Sequence, residues 1–354
     1  MRRRGLMHYR DFIGGLVLLA GLGVSSMSLA EPGKLTVVGA GGVLQDAERK
    51  AFFEPFAKSS GIAVTEDSYS GQMAKVRAMV ASGSVSWDVM QVEQNTLLSG
   101  CAEGLFEELD WSKIANRDDF IPEAYSDCGV GAFVWSMVPS YDRSKTADGP
   151  QNWADFWDMK KWPGKRGFRQ TAKMTLEIAL LADGVSPGEV YKVLATKAGQ
   201  DRAFAKLDWI KGDIIWWTSG AESLERLAAG DVVATATFNG RVTAANASGK
   251  NFALTWDGQV YGIDYWGIVK GSSNRENAQK FIAFAASDAA QSAFPQYIAY
   301  GVTNKKAIQS MKPELAKDLP TTEENLKSAV GLNTEFWADN GEALEARFAT
   351  WRAQ

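Results

Sequence analysis

Short apolar runs rich in β-branched residues alternate with helix-length segments along most of the chain, and this alternation constrains the fold more than any other feature. Residues 34–38 read as a strand, closed by Gly39-Ala40-Gly41-Gly42. Residues 46–58 then read as a helix, with Ala47, Phe52, Phe53 and Phe56 as its apolar members. A strand over 64–67, a helix over 72–81 and a strand over 87–92 follow. Strand–helix–strand units of this length build parallel sheets with right-handed crossovers. The later half repeats the rhythm, with strands expected at 166–168, 214–217 and 232–238, a helix at 175–182 and one long amphipathic helix over 274–294. The class is α/β. At 354 residues the chain exceeds the usual size of one domain, which predicts two packed units. Extended stretches at 131–140 and 262–269 sit where the chain would cross between them.

The first thirty residues have a different character. Arg2, Arg3, Arg4 and Arg10 precede an apolar run over 12–24, and Ser28-Leu29-Ala30 supplies small residues for a signal peptidase. This is a secretory leader with cleavage expected after Ala30. The run of 13 apolar residues is short of the roughly 20 that a membrane-spanning helix needs. Removing residues 1–30 takes four of the 38 basic and one of the 42 acidic residues, leaving 34 and 41 and a net charge of −7. That balance argues against nucleic acid and against an anionic membrane surface. The one histidine, His8, leaves with the leader. A mature chain without histidine excludes Ser-His-Asp and Cys-His catalysis and histidine-ligated zinc. Cys101 and Cys128 are the only cysteines; after export they most simply form a disulfide closing a surface loop, the alternative being two buried thiols.

Candidate chemistry is sparse. Gly39-Ala40-Gly41-Gly42 follows a strand, but Leu44 stands where a dinucleotide fingerprint needs its third glycine. Its amides, Gly41's among them, either hold a carboxylate or simply make a tight turn. Ser219 and Glu222 read as a capping box ahead of a helix over 221–229. Trp216 and Trp217, adjacent on one strand, point to opposite faces, so one is core and the other, taken as Trp217, lines a cavity. Arg241 and Asp264 stand near strand ends, where open α/β sheets bind ligands; each is either a ligand contact or an ordinary surface charge. The adjacent pairs Glu107-Glu108, Asp118-Asp119 and Glu323-Glu324 read as solvated faces, since catalytic carboxylates must face each other across a substrate.

A leader followed by a two-lobed α/β chain resembles the periplasmic solute-binding proteins of ABC importers. Trp87-Asp88-Val89, Gly230-Asp231-Val232-Val233, Phe238-Asn239-Gly240, the 262–269 stretch and Ile298-Ala299-Tyr300-Gly301-Val302-Thr303-Asn304 resemble the polyamine-binding branch in particular, over essentially all of residues 34–354. The resemblance implies the type II fold: two lobes, each a mixed, mostly parallel sheet flanked by helices, with a hinge between. Residues 31–141 and 263–306 would form the first lobe, and 142–262 and 307–354 the second. It further implies a monomer without cofactor or metal that captures a small amine in the periplasm and delivers it to an inner-membrane permease and its ATPase. Asp264 would hold the ligand ammonium, Phe238 would pack on its methylenes, and Tyr300 and Trp337 would complete the site.

Two departures stand out. The first strand–helix loop lacks the branch's aromatic residues, and Thr171 and Met174 occupy the places of the acids that hold a second ammonium. The segment is basic instead, with Arg166, Arg169 and Lys173. An acid at one end of the cleft, Asp264, and a base at the other, Arg241, describe an ω-amino acid, and this pairing resembles the branch's 4-aminobutyrate-binding members. The alternative is putrescine or spermidine, with Glu93 as the replacement acid. An exported enzyme working through carboxylates is the competing class.

Overall fold

The computed structural model describes residues 33–71 and 73–354. The expected leader and its cleavage point lie outside the described residues, as does Gln72 at the expected start of one helix. Ten strands follow in chain order: β1 (Lys34–Gly39), β2 (Ala63–Ser68), β3 (Val89–Glu93), β4 (Gly129–Asp142), β5 (Arg166–Arg169), β6 (Ile214–Trp217), β7 (Ala234–Phe238), β8 (Phe252–Leu254), β9 (Val260–Ile268) and β10 (Val330–Gly331). The sheet order is β2-β1-β3-β9-β4-β7-β5-β6, with β10 on β9 and β8 on β4. β1 pairs in parallel with β2 and β3 at one end, and β5 with β6 and β7 at the other. Between them β9 runs antiparallel to both β3 and β4, and β4 antiparallel to β7. This is the expected α/β class, with parallel flanks joined by the two extended segments read from the sequence. All fourteen residues of β4 are buried. Its early residues pair with β9 and its late ones with β7, the exchange falling at Met137, which faces both Val260 and Phe238.

Two helices depart from expectation. The first begins at Gly42 rather than at residue 46, since Gly41 takes φ 71°, a conformation that glycine adopts freely, and turns the chain straight into the helix Gly42–Glu48. A π-turn over Arg49–Phe53 then lets the adjacent Phe52 and Phe53 both enter the core, where each meets Trp266. The single helix expected over 274–294 is two, Arg275–Ala285 and Asp288–Ala293. Ser287 breaks it by accepting a hydrogen bond from the Ala290 amide, an N-cap that starts the second helix. Among the acidic pairs, Glu107 is not a solvated face: it is buried, paired with Lys270 and holding the Gly271 amide. Cys101 and Cys128 are joined as a disulfide.

Candidate functional site

Asp264 lies mid-strand in β9, not at a strand end. Because β9 runs antiparallel to β3, its midpoint passes the C-terminal end of that strand, and Asp264 faces Glu93 directly across the pair. Asp264 is 7% exposed. Trp135 donates its indole N–H to Oδ1 at 2.6 Å, and the Gln91 amide donates to Oδ2. Neither donor is a cation. Burial, and then the Glu93 charge opposite, push the Asp264 pKa up to about 6.

Arg241 stands at the third position of the helix Asn239–Ala247, directly after β7. The turn into that helix is fixed by Asn239, whose side chain accepts from the Ser136 amide and donates to the Ala299 carbonyl. Arg241 is 6% exposed, its Nε has no partner, and it makes no ion pair among the described residues. Its guanidinium rests against Gly220, the first residue of the helix Gly220–Ala229, so closely that a Cβ there would collide with Nε and Cζ. A Cβ on Gly42 would stand 3.3 Å from Nη1. The head group is therefore held beside the first turn of a ten-residue helix, whose dipole favours a negative group there.

Both charges line one cleft of about 610 Å³, together with Glu93, Phe238, Tyr300 and Trp337. Its aromatic walls brace one another, with Phe133 and Trp135 lining the cleft as well. Phe133 stacks on Tyr300 at 5.2 Å, and Trp135 meets Phe238 edge-on at 5.3 Å. Trp337, on the helix Thr334–Ala353, donates to the buried Glu177 at 2.6 Å. Glu93 is already engaged: Arg169 takes Oε1 at 2.8 Å and Lys173 takes Oε2, while Lys173 also donates to Asn95 at 2.7 Å. Burial alone would raise the Glu93 carboxyl, but Lys173 and Arg169 hold it well below the usual carboxylate range.

Six of the eight expected ligand residues thus meet in the cleft: Asp264, Arg241, Tyr300, Phe238, Trp337 and Glu93. Gly41 and Trp217 are not among its lining residues. Trp217 is buried behind Phe238, with ring centroids 6.1 Å apart, and Ala40 rather than Gly41 reaches the cleft from the first loop. Sequence reasoning missed Gln91 and Trp135, the two side chains that grip Asp264. Gln91 had a signal, a lone amide within the apolar run Val89–Val92. Trp135 had none, since it reads as core within an all-buried strand. Among the described residues there is no group of three or more His, Cys, Asp or Glu side chains suited to a metal ion.

Comparison with known proteins adds a family. Residues 51–321 match the family of bacterial extracellular solute-binding proteins. The gamma-aminobutyric acid-binding protein of Pseudomonas aeruginosa is 46% identical over 348 residues, 98% of this chain and 99% of that one. The putrescine/cadaverine-binding protein of the same organism is 26% identical over 310 residues, covering 79% and 84% of the two chains. The solved structure of Atu4243, described as a GABA receptor, superposes with a TM-score of 0.80 at 34% identity, over 91% of this chain and 98% of that chain.

Proposed function

The chain belongs to the bacterial extracellular solute-binding proteins, and from that premise we propose that it is the periplasmic capture component of an ABC importer whose solute is 4-aminobutyrate or a similar ω-amino acid. One observation carries the ligand reading. In a single cleft a buried carboxylate, Asp264, and a buried guanidinium, Arg241, each stand without an ion pair among the described residues. An unpaired buried charge costs several kcal/mol. Two of opposite sign in one cleft fit a ligand that brings both partners. The solute's ammonium takes Asp264, its carboxylate takes the Arg241 fork beside the Gly220–Ala229 helix, and its methylenes lie along Phe238 and the Phe133–Tyr300 pair. A diamine needs a second carboxylate, and Glu93 is occupied by Arg169 and Lys173.

Function is then capture and delivery, not turnover. We assign residues 31–141 with 263–306 to one lobe and 142–262 with 307–354 to the other; the change of partner along β4 at Met137 supports a crossing there. Asp264 and Arg241 fall in different lobes by this division. A solute bridging them stabilises the closed arrangement over the open one, which is the condition for a ligand to drive closure. The closed form is what an inner-membrane permease and its ATPase receive. The leader over residues 1–30 delivers the chain to the periplasm.

Calorimetry on residues 31–354, unfolded and refolded to strip carried ligand, tests this. Arg241→Ala should weaken 4-aminobutyrate by about 100-fold or more, the scale expected when one partner of a buried charge pair is removed. Equal binding by wild type and variant would overturn the zwitterion reading. Small-angle scattering should show a smaller radius of gyration with ligand; an unchanged radius would count against closure.

A further inference from the structure

Glu93 and Asp264 are direct cross-strand partners, so both carboxylates leave the same face of the sheet with Cβ atoms about 5 Å apart. On its own this pair is a dicarboxylate, the natural counterpart of a ligand with two ammonium groups. The end of β5 and the loop after it change that. Arg169 and Lys173 each take one oxygen of Glu93, so its negative charge is already met by two cations before a solute arrives. Both cations are fixed from a second side: Arg169 lies over the Phe238 ring at 5.7 Å, and Lys173 donates to Asn95. The backbone carrying Lys173 is anchored too, since Glu345 accepts the amides of Ala172 and Lys173 and the Thr171 hydroxyl.

Charge counting gives the consequence. Glu93, Asp264, Arg169, Lys173 and Arg241 sum to +1, a balance that disfavours a dication relative to a zwitterion. Without Arg169 and Lys173 the same cleft sums to −1. Of the other carboxylates lining the cleft, Glu103 pairs with Arg77 and Glu342 is exposed; Glu345 accepts only from two amides and a hydroxyl and acts on Arg169, so counting it lowers both sums by one and leaves their difference of two charges unchanged.

We propose that Arg169 and Lys173 are specificity-determining residues: by occupying Glu93 they withdraw the second carboxylate and restrict the cleft to solutes with a single ammonium. The inference rests on the ω-amino acid reading for the identity of the wild-type ligand. Its test does not.

Arg169→Gln and Lys173→Gln, singly and together, are titrated by calorimetry with putrescine and 4-aminobutyrate, folding being checked by circular dichroism. Releasing one carboxylate about 5 Å from the ammonium site is worth on the order of 100-fold for a second positive charge. The double variant should therefore gain about 100-fold in putrescine affinity, and Lys173→Gln alone a measurable part of it. Adding Glu93→Gln should abolish the gain. A folded double variant without the gain, or a gain that survives Glu93→Gln, overturns the proposal. If the double variant does not fold, an unchanged putrescine affinity in Lys173→Gln overturns it equally. Failure of wild type to bind 4-aminobutyrate would instead refute the ligand reading and leave the putrescine comparison intact.

Discussion

Asp264→Asn is expected to stabilise the empty protein while removing its capacity to hold an ammonium. In the unfolded chain this carboxyl ionises near its ordinary 3.8; in the fold, burial and Glu93 make it keep its proton up to about 6. Between those values the folded state binds the extra proton, so stability falls as pH rises through that window, and above it the whole penalty is present. A gap of about 2.2 at about 1.4 kcal/mol apiece gives about 3 kcal/mol. Asn carries no charge and escapes that penalty. It also finds partners. Among the described residues Gln91 Oε1 and both Glu48 oxygens lack donors, and Gln91 Oε1 and Glu48 Oε2 converge on Gly39, 3.3 and 2.9 Å from where its Cβ would stand. Turning the Gln91 amide over lets Oε1 accept from the new Asn amide, while Nε2 turns toward Glu48, and Trp135 still donates to the Asn oxygen. Urea unfolding without ligand should show the variant more stable than wild type by about 1 to 3 kcal/mol at pH 7.5, the lower bound allowing for the cost of burying an amide. That advantage should be lost near pH 3.5, where Asp264 is mostly protonated in both states. A variant less stable at pH 7.5, or a difference that does not change with pH, would refute the reasoning.

The same ionisation sets the pH response of binding. The ammonium needs the charged form of Asp264, so 4-aminobutyrate affinity should be flat above pH 7 and fall about tenfold per unit below 6, read by calorimetry. Gly220→Ala keeps an allowed helical backbone but drives a methyl group into the Arg241 guanidinium; it should weaken 4-aminobutyrate about tenfold or more with little loss of thermal stability. Reducing the Cys101–Cys128 bridge, which spans 27 residues, should lower stability by about 3 kcal/mol in denaturant titrations and leave ligand affinity nearly unchanged, since neither cysteine lines the cleft.

Local patterns made the strands and most helices readable, because alternation and helical spacing are short-range signals. The way β9 inserts between β3 and β4 is not local, and that insertion is what brings Asp264 opposite Glu93. Strand alternation correctly separated Trp216 from Trp217. It could not reveal that both faces are covered, Trp216 by Phe348 and Trp351 and Trp217 by Phe238. Arg241 was legible from its place after β7. The basic character of Arg169 and Lys173 was legible as well, but their target, 76 and 80 residues away in sequence, was not. Gln91 was visible as an amide among apolar neighbours, and Trp135 was hidden because a buried indole looks the same whether its N–H meets a backbone carbonyl or a functional carboxylate.

The central claim is that the cleft reads both ends of a zwitterion at once. Calorimetry with 4-aminobutyrate, butyrate and butylamine tests it directly, since the two truncated compounds each lack one charged end. Tight binding of 4-aminobutyrate, with each truncated compound weaker by about 100-fold or more, is the expected result. Butylamine binding as tightly as 4-aminobutyrate would show that Arg241 contributes nothing to the ligand and would contradict the account.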